Sequence, residues 1–197
     1  MSERNTVLRS LHDVGLAAWF GGSLMGAVGL NGAAKGYSGS WRDNARIASD
    51  GWAKWTPVNA AAIGAHLVGA SGLLAVNAPR VATQQGVAAS TLAKTVLTGA
   101  ALAATGYARM LGKKIELASS TDPQDAEEAA ASFDTGKAER HLSYAQWLVP
   151  ALTGGVLILN ALHGEQQRPE EQARGMWELA RTLSPHMPSS DHWSHRC

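Results

Sequence analysis

The chain has 197 residues, 45% of them apolar and 17% charged, with 17 Lys and Arg set against 16 Asp and Glu. That balance removes the basic footprint of a nucleic-acid binder. The single cysteine, Cys197, excludes an internal disulfide framework and a multi-cysteine zinc cage.

The charges are segregated along the chain. Asp13 and Lys35 are separated by 21 uncharged residues, Lys54 and Arg80 by 25, and Arg140 and Glu165 by 24. A helix that crosses the hydrocarbon core needs about 20 predominantly apolar residues. The first run predicts a span over 14–34. It is too long for the apolar core of a cleavable signal, so it reads as a retained helix. Thr56 and Pro57 suit an N-cap followed by proline at the first helical position, and Asn77-Ala78-Pro79 suits a stop, which predicts a second span over 57–77. The third span, 88–108, is interrupted only by Lys94, whose stem can carry its ammonium back to the membrane surface.

Residues 109–140 change character. RMLGKKIELASS extends the third helix, and a short acidic helix follows Asp122-Pro123 within a solvated connector. The fourth span covers 142–163, with a kink expected at Pro150. Beyond residue 168, a tail over 169–197 opens with a short amphipathic helix carrying Ala173, Met176, Trp177 and Ala180 on one face. The expected fold is all-α: a four-helix transmembrane bundle over 1–168 with a polar loop between helices 3 and 4 and a partly helical C-terminal tail. A soluble bundle is the competing architecture. It would need charges opposite each apolar stripe, and 14–34 and 141–164 carry none on any face. A chain of this size has no core large enough to hide three such helices.

Four spans put both termini on one side of the membrane. Tyr37, Trp52, Trp55, Tyr107, Tyr144 and Trp147 then fall near the span ends on the opposite side, where an aromatic belt is expected. Basic residues divide almost evenly between the sides and set no clear orientation. Small residues recur at helical spacing: Gly22 and Gly26; Ala61, Ala65 and Gly69; Thr95, Gly99 and Ala103; Ala151 and Gly155. Such stripes let helix backbones approach closely in lipid, within one bundle or between copies joined through the first helix.

Histidine carries the remaining chemistry. His66 lies near the centre of the second span, where ionisable residues are functional candidates by default. A neutral imidazole there can ligate haem or copper, relay a proton, or simply bond to a neighbouring helix. His12 precedes the first span and His163 ends the fourth, at similar expected depth, so they form the candidate pair for bis-histidine ligation. His186, His192, His195 and Cys197 crowd the tail without regular spacing. No two histidines stand three or four residues apart on one span, so no helix offers a ready metal-binding pair. No phosphate-binding loop, H-E-x-x-H or G-x-S-x-G motif occurs, and no carboxylate lies inside a span.

The expectation is a non-enzymatic, multi-pass protein of the cell membrane. Its partners would be the lipid bilayer and a second copy or another membrane protein, and it would need no cofactor. The alternative is a haem- or metal-binding, redox-linked membrane protein using His66, His12 and His163. The blocks LRSLHDVGLAAWFGGSLMGAVGLNGAA, GWAKWTPVNAAAIGAHLVGASGLL, GVAASTLAKTVLTGAALAATGYARMLGKK and WLVPALTGGVLILNALHGEQQRP resemble an uncharacterised family of small bacterial four-helix membrane proteins. The resemblance covers about Arg9 to Pro169 and implies an integral membrane protein without implying an activity. The opening LHDVGLAAWFGG, through His12, Trp19, Gly21 and Gly22, also distantly resembles the first helix of copper-resistance-type membrane domains. That second likeness implies copper handling.

Overall fold

The computed structural model describes residues 5–166 except 38 and 84. The tail over 169–197, with its expected amphipathic helix and its histidine cluster, lies outside the described residues. Five helices follow in order: α1 Thr6–Gly36, α2 Trp41–Thr83, α3 Gln85–Ala118, α4 Pro123–Ser132 and α5 Thr135–Gln166. No strand occurs among the described residues. Four of the helices, α1, α2, α3 and α5, are long and apolar enough to cross a membrane. That is the all-α, four-helix architecture of an integral membrane protein. Met1–Leu159 forms one compact unit and Asn160–Cys197 a second. Of the second, only the end of α5 is described.

The helices outrun the spans expected from charge alone. At 1.5 Å per residue, the 43 residues of α2 extend to about 65 Å, twice the roughly 30 Å of a hydrocarbon core. Its helix therefore begins well before Pro57, at Trp41, and continues through Pro79 to Thr83. Thr56 and Pro57 do not start it. Proline inside a helix removes one N–H and so frees one carbonyl, four residues back. The residues before Pro57 stay helical because Trp52 and Trp55 are seated against α1. The Thr56 hydroxyl meanwhile donates back to the carbonyl of Trp52 at 2.7 Å. Pro150 likewise lies inside α5, where the Thr153 hydroxyl donates to the Val149 carbonyl at 2.8 Å.

At the start of α2 a capping box forms. The Asp43 carboxylate accepts from the Ser40 amide at 3.0 Å, and the Asp43 amide donates to the Ser40 hydroxyl at 3.3 Å. α4 starts as its sequence predicts, with Asp122 accepting from the Gln124 amide at 2.9 Å and proline at the first position. The 109–140 segment is more than a solvated connector. Leu111, Ile115 and Ala138 are buried together, with Ala45, Phe133 and Leu142 packed around them. The Lys114 ammonium stands 5.3 Å above the Phe133 ring. The membrane-spanning part has its own core of Leu16, Trp19, Ala101, Ala104, Val149 and Val156, drawn from α1, α3 and α5.

One irregularity breaks α1. Gly26–Leu30 forms a single π-helical turn, which rephases the residues beyond it. Asn31, the next residue, then reaches two other helices. Its side-chain amide donates to Gln146 Oε1 on α5 at 2.6 Å, and its oxygen accepts from the Trp52 indole at 2.9 Å.

Candidate functional site: a histidine pair between α1 and α2

The site exists because two helix backbones touch. A Cβ at Gly15 would stand 2.5 Å from both the Ala62 carbonyl oxygen and the His66 amide nitrogen. A Cβ at Gly69 would strike the His12 amide and stand 2.6 Å from the Leu8 carbonyl oxygen. Neither position accepts a side chain, so α1 and α2 close to backbone contact on both sides of His66. The face of α2 that meets α1 is Ala62, His66 and Gly69. Of the expected stripe of Ala61, Ala65 and Gly69, Gly69 keeps its place, while Ala62 and His66 are buried in the contact and Ala61 is exposed.

This contact brings His12 onto His66. Their ring centroids are 4.5 Å apart at an interplanar angle of 41°. His66 is 1% exposed, and its Nδ1 lies 3.1 Å from the backbone oxygen of His12. A carbonyl oxygen only accepts, so this Nδ1 carries the proton and Nε2 carries the lone pair. His66 Nε2 is buried and has no hydrogen-bond partner among the described residues. His12 is arranged in the same sense, its Nδ1 lying 2.8 Å from the Asp13 carboxylate. A carboxylate acceptor puts a proton on His12 Nδ1, so the neutral ring carries its lone pair on Nε2 as well. Asp13 is also within electrostatic reach of Lys94 on α3, which is half-buried.

Trp19 closes the inner side. It is fully buried, its ring centroid is 6.2 Å from that of His66, and its indole donates to the Thr105 hydroxyl of α3 at 3.2 Å. The Thr105 hydroxyl in turn donates to the Ala101 carbonyl at 2.8 Å. The site thus holds two imidazoles, each with one ring N–H held by oxygen. Among the described residues, no group of three or more His, Cys, Asp or Glu side chains is placed to hold a metal ion. Any further ligand would come from outside the described residues.

Of the three histidines singled out by sequence, the fold joins His66 to His12. His163 falls near the end of α5, and its side chain lies outside the described residues. The depth argument that paired His12 with His163 missed His66 because it placed His12 outside its span. α1 in fact begins at Thr6, and the Gly15 and Gly69 contacts set His12 against His66. Asp13 and Trp19 were also missed as site residues. Their adjacency to His12 and their spacing along one helix carry no signal until α2 is in place. His141, at the other end of the bundle, pairs with the Tyr107 hydroxyl at 2.6 Å.

The glycine pair of the first helix, Gly22 and Gly26, is occupied. Gly22 receives the indole of Trp55 and Gly26 that of Trp52, so this pair is filled from within the chain. Trp52 and Trp55 accordingly face α1, while Tyr37, Tyr107, Tyr144 and Trp147 remain exposed as a belt residue would be. No family model, no curated protein and no solved structure matches this chain.

Proposed function

We propose that this chain is a multi-pass protein of the cell membrane that binds a copper ion through His12 and His66. The observation that supports this reading is the shared state of the two rings: each Nδ1 faces an oxygen, and the His66 Nε2 is buried without a partner. Metal-ligating histidines commonly donate their second ring N–H to a carboxylate or carbonyl in this way. Imidazole suits copper, which binds nitrogen sites most tightly among the divalent first-row metals. The spacing favours a bare ion over haem. Two imidazoles on opposite faces of one iron have centroids roughly 6 Å apart, given metal–nitrogen bonds of about 2.0 Å. These rings are 4.5 Å apart and tilted, which suits neighbouring positions on one ion. Bound copper would supply a one-electron couple or a cargo ion. The protein's own share is to fix both tautomers and to shield His66 from water.

The full chain, purified in detergent and stripped with a chelator, is expected to take up one copper ion per chain from a Cu(II) titration. His66→Ala and His12→Ala should each weaken that uptake about tenfold or more. A variant with His186, His192 and His195 changed to alanine should bind as the parent does. Equal binding by the parent and His66→Ala would sink the proposal.

A second reading, self-association as an oligomer or accessory subunit, is favoured by α3. Gly99 and Gly106 have open space where a Cβ would stand, unlike Gly22 and Gly26 of α1. Small residues that find no neighbour inside a bundle are suited to pack against another helix in lipid. With Cys197→Ser as background, Gly99→Cys should give an oxidatively cross-linked dimer in membranes. Failure to cross-link would remove α3 as the interface.

A further inference from the structure

A second group of unsatisfied polar atoms lies two turns along α2 from the histidine pair. Trp52, Trp55, Asn59, Ala62, His66 and Gly69 recur at intervals of three or four residues, which places them on one face of the helix. Three indoles elsewhere have protein partners: Trp19 donates to Thr105, Trp52 to Asn31 and Trp41 to Glu139. Trp55 does not. Its Nε1 is buried, has no partner among the described residues, and lies 2.8 Å from where a Cβ on Gly22 would stand. One turn further, the Asn59 side-chain oxygen is likewise buried and unpartnered.

These two atoms are complementary. An indole N–H only donates, and an amide oxygen only accepts. Residues four apart are neighbours on one helix face, which sets the two groups in one place for a small molecule with both a donor and an acceptor. Buried waters characteristically join such groups, making two to four hydrogen bonds each. On α1, Ser23 is buried beside Gly22. Its hydroxyl proton goes to the Phe20 carbonyl at 2.9 Å, which leaves its oxygen able to accept. Buried groups of this kind are almost always satisfied by protein or by ordered water.

We infer that a single buried water molecule binds at the α1–α2 seam, accepting from the Trp55 indole N–H and donating to the Asn59 side-chain oxygen. The site is independent of the copper reading, because it shares no residue with the histidine pair. Ala62, in backbone contact with Gly15, stands between the two, so the water is held apart from His66. It joins two side chains of α2 where the Trp55 indole packs against Gly22 of α1, one turn before the π-helical turn.

Water-edited NMR of the isotope-labelled full chain in lipid bilayers tests this directly. Magnetisation should pass from water to the Trp55 indole proton, identified by its disappearance in Trp55→Phe, and not to those of Trp19 and Trp52. In Asn59→Leu the transfer should be lost while the Trp19 and Trp52 signals keep their positions, which reports an intact fold. Should that variant fail to fold, the parent protein still decides the matter in deuterated buffer. There the Trp55 indole proton should exchange at least tenfold faster than those of Trp19 and Trp52. Absence of transfer in the parent, a direct Trp55–Asn59 hydrogen bond, or matching exchange at all three indoles would overturn the site.

Discussion

Replacing Gly69 with alanine is expected to unseat α1 from α2 and destabilise the bundle by about 1–3 kcal/mol, the usual range for overpacking a closed contact. The added methyl meets backbone on two sides, the His12 amide and the Leu8 carbonyl, and backbone in a helix cannot rotate away as a side chain can. Gly15→Ala should behave alike, since its methyl would meet the Ala62 carbonyl and the His66 amide, each at 2.5 Å. Gly21→Ala and Gly64→Ala are the controls. Both glycines have open space around them, and alanine there should stabilise the helix by about 0.5–1 kcal/mol. The two pairs therefore move in opposite directions. Unfolding by SDS titration, followed by circular dichroism, reads both signs. A neutral Gly69→Ala would mean that the helices do not touch where the histidines meet.

Trp19→Ala should cost more, about 3–5 kcal/mol, as large aromatic truncations in closed cores do. Trp19 has no exposed surface and belongs to the cluster in which α1, α3 and α5 meet. Within a bilayer, removing it gains no hydrophobic penalty from water, so the loss is one of packing and of the hydrogen bond to Thr105. Trp19→Phe separates the two contributions. It keeps most of the ring and gives up only the N–H, so it should cost clearly less than Trp19→Ala in the same titration. Equal losses would assign the stability to the hydrogen bond and not to packing.

Much of the architecture is written in charge placement. Three uncharged runs and one interrupted by Lys94 correspond to α1, α2, α5 and α3 in turn, and Asp122-Pro123 starts α4 where capping rules put it. The boundaries were less legible. Pro57 and Pro79 look like punctuation, yet both sit inside α2, where each removes only a single N–H from the helix. The π-helical turn at Gly26–Leu30 gives no warning either: GAVGL reads as plain helix, and only the tryptophan seated on Gly26 and the reach of Asn31 mark it.

The sequence by itself determined that four helices are fit to cross a membrane, since long runs with no charge, or with Lys94 alone, are a property of one dimension. It also marked His66 as out of place. The tertiary structure alone decided that His66 meets His12, that Gly22 and Gly26 hold indoles, and that Trp55 and Asn59 share one seam. Those meetings depend on the register between helices, His12 and His66 being separated by 54 positions along the chain. Register is set where backbones touch, at Gly15 and Gly69, and a glycine in a sequence does not say which carbonyl it will face.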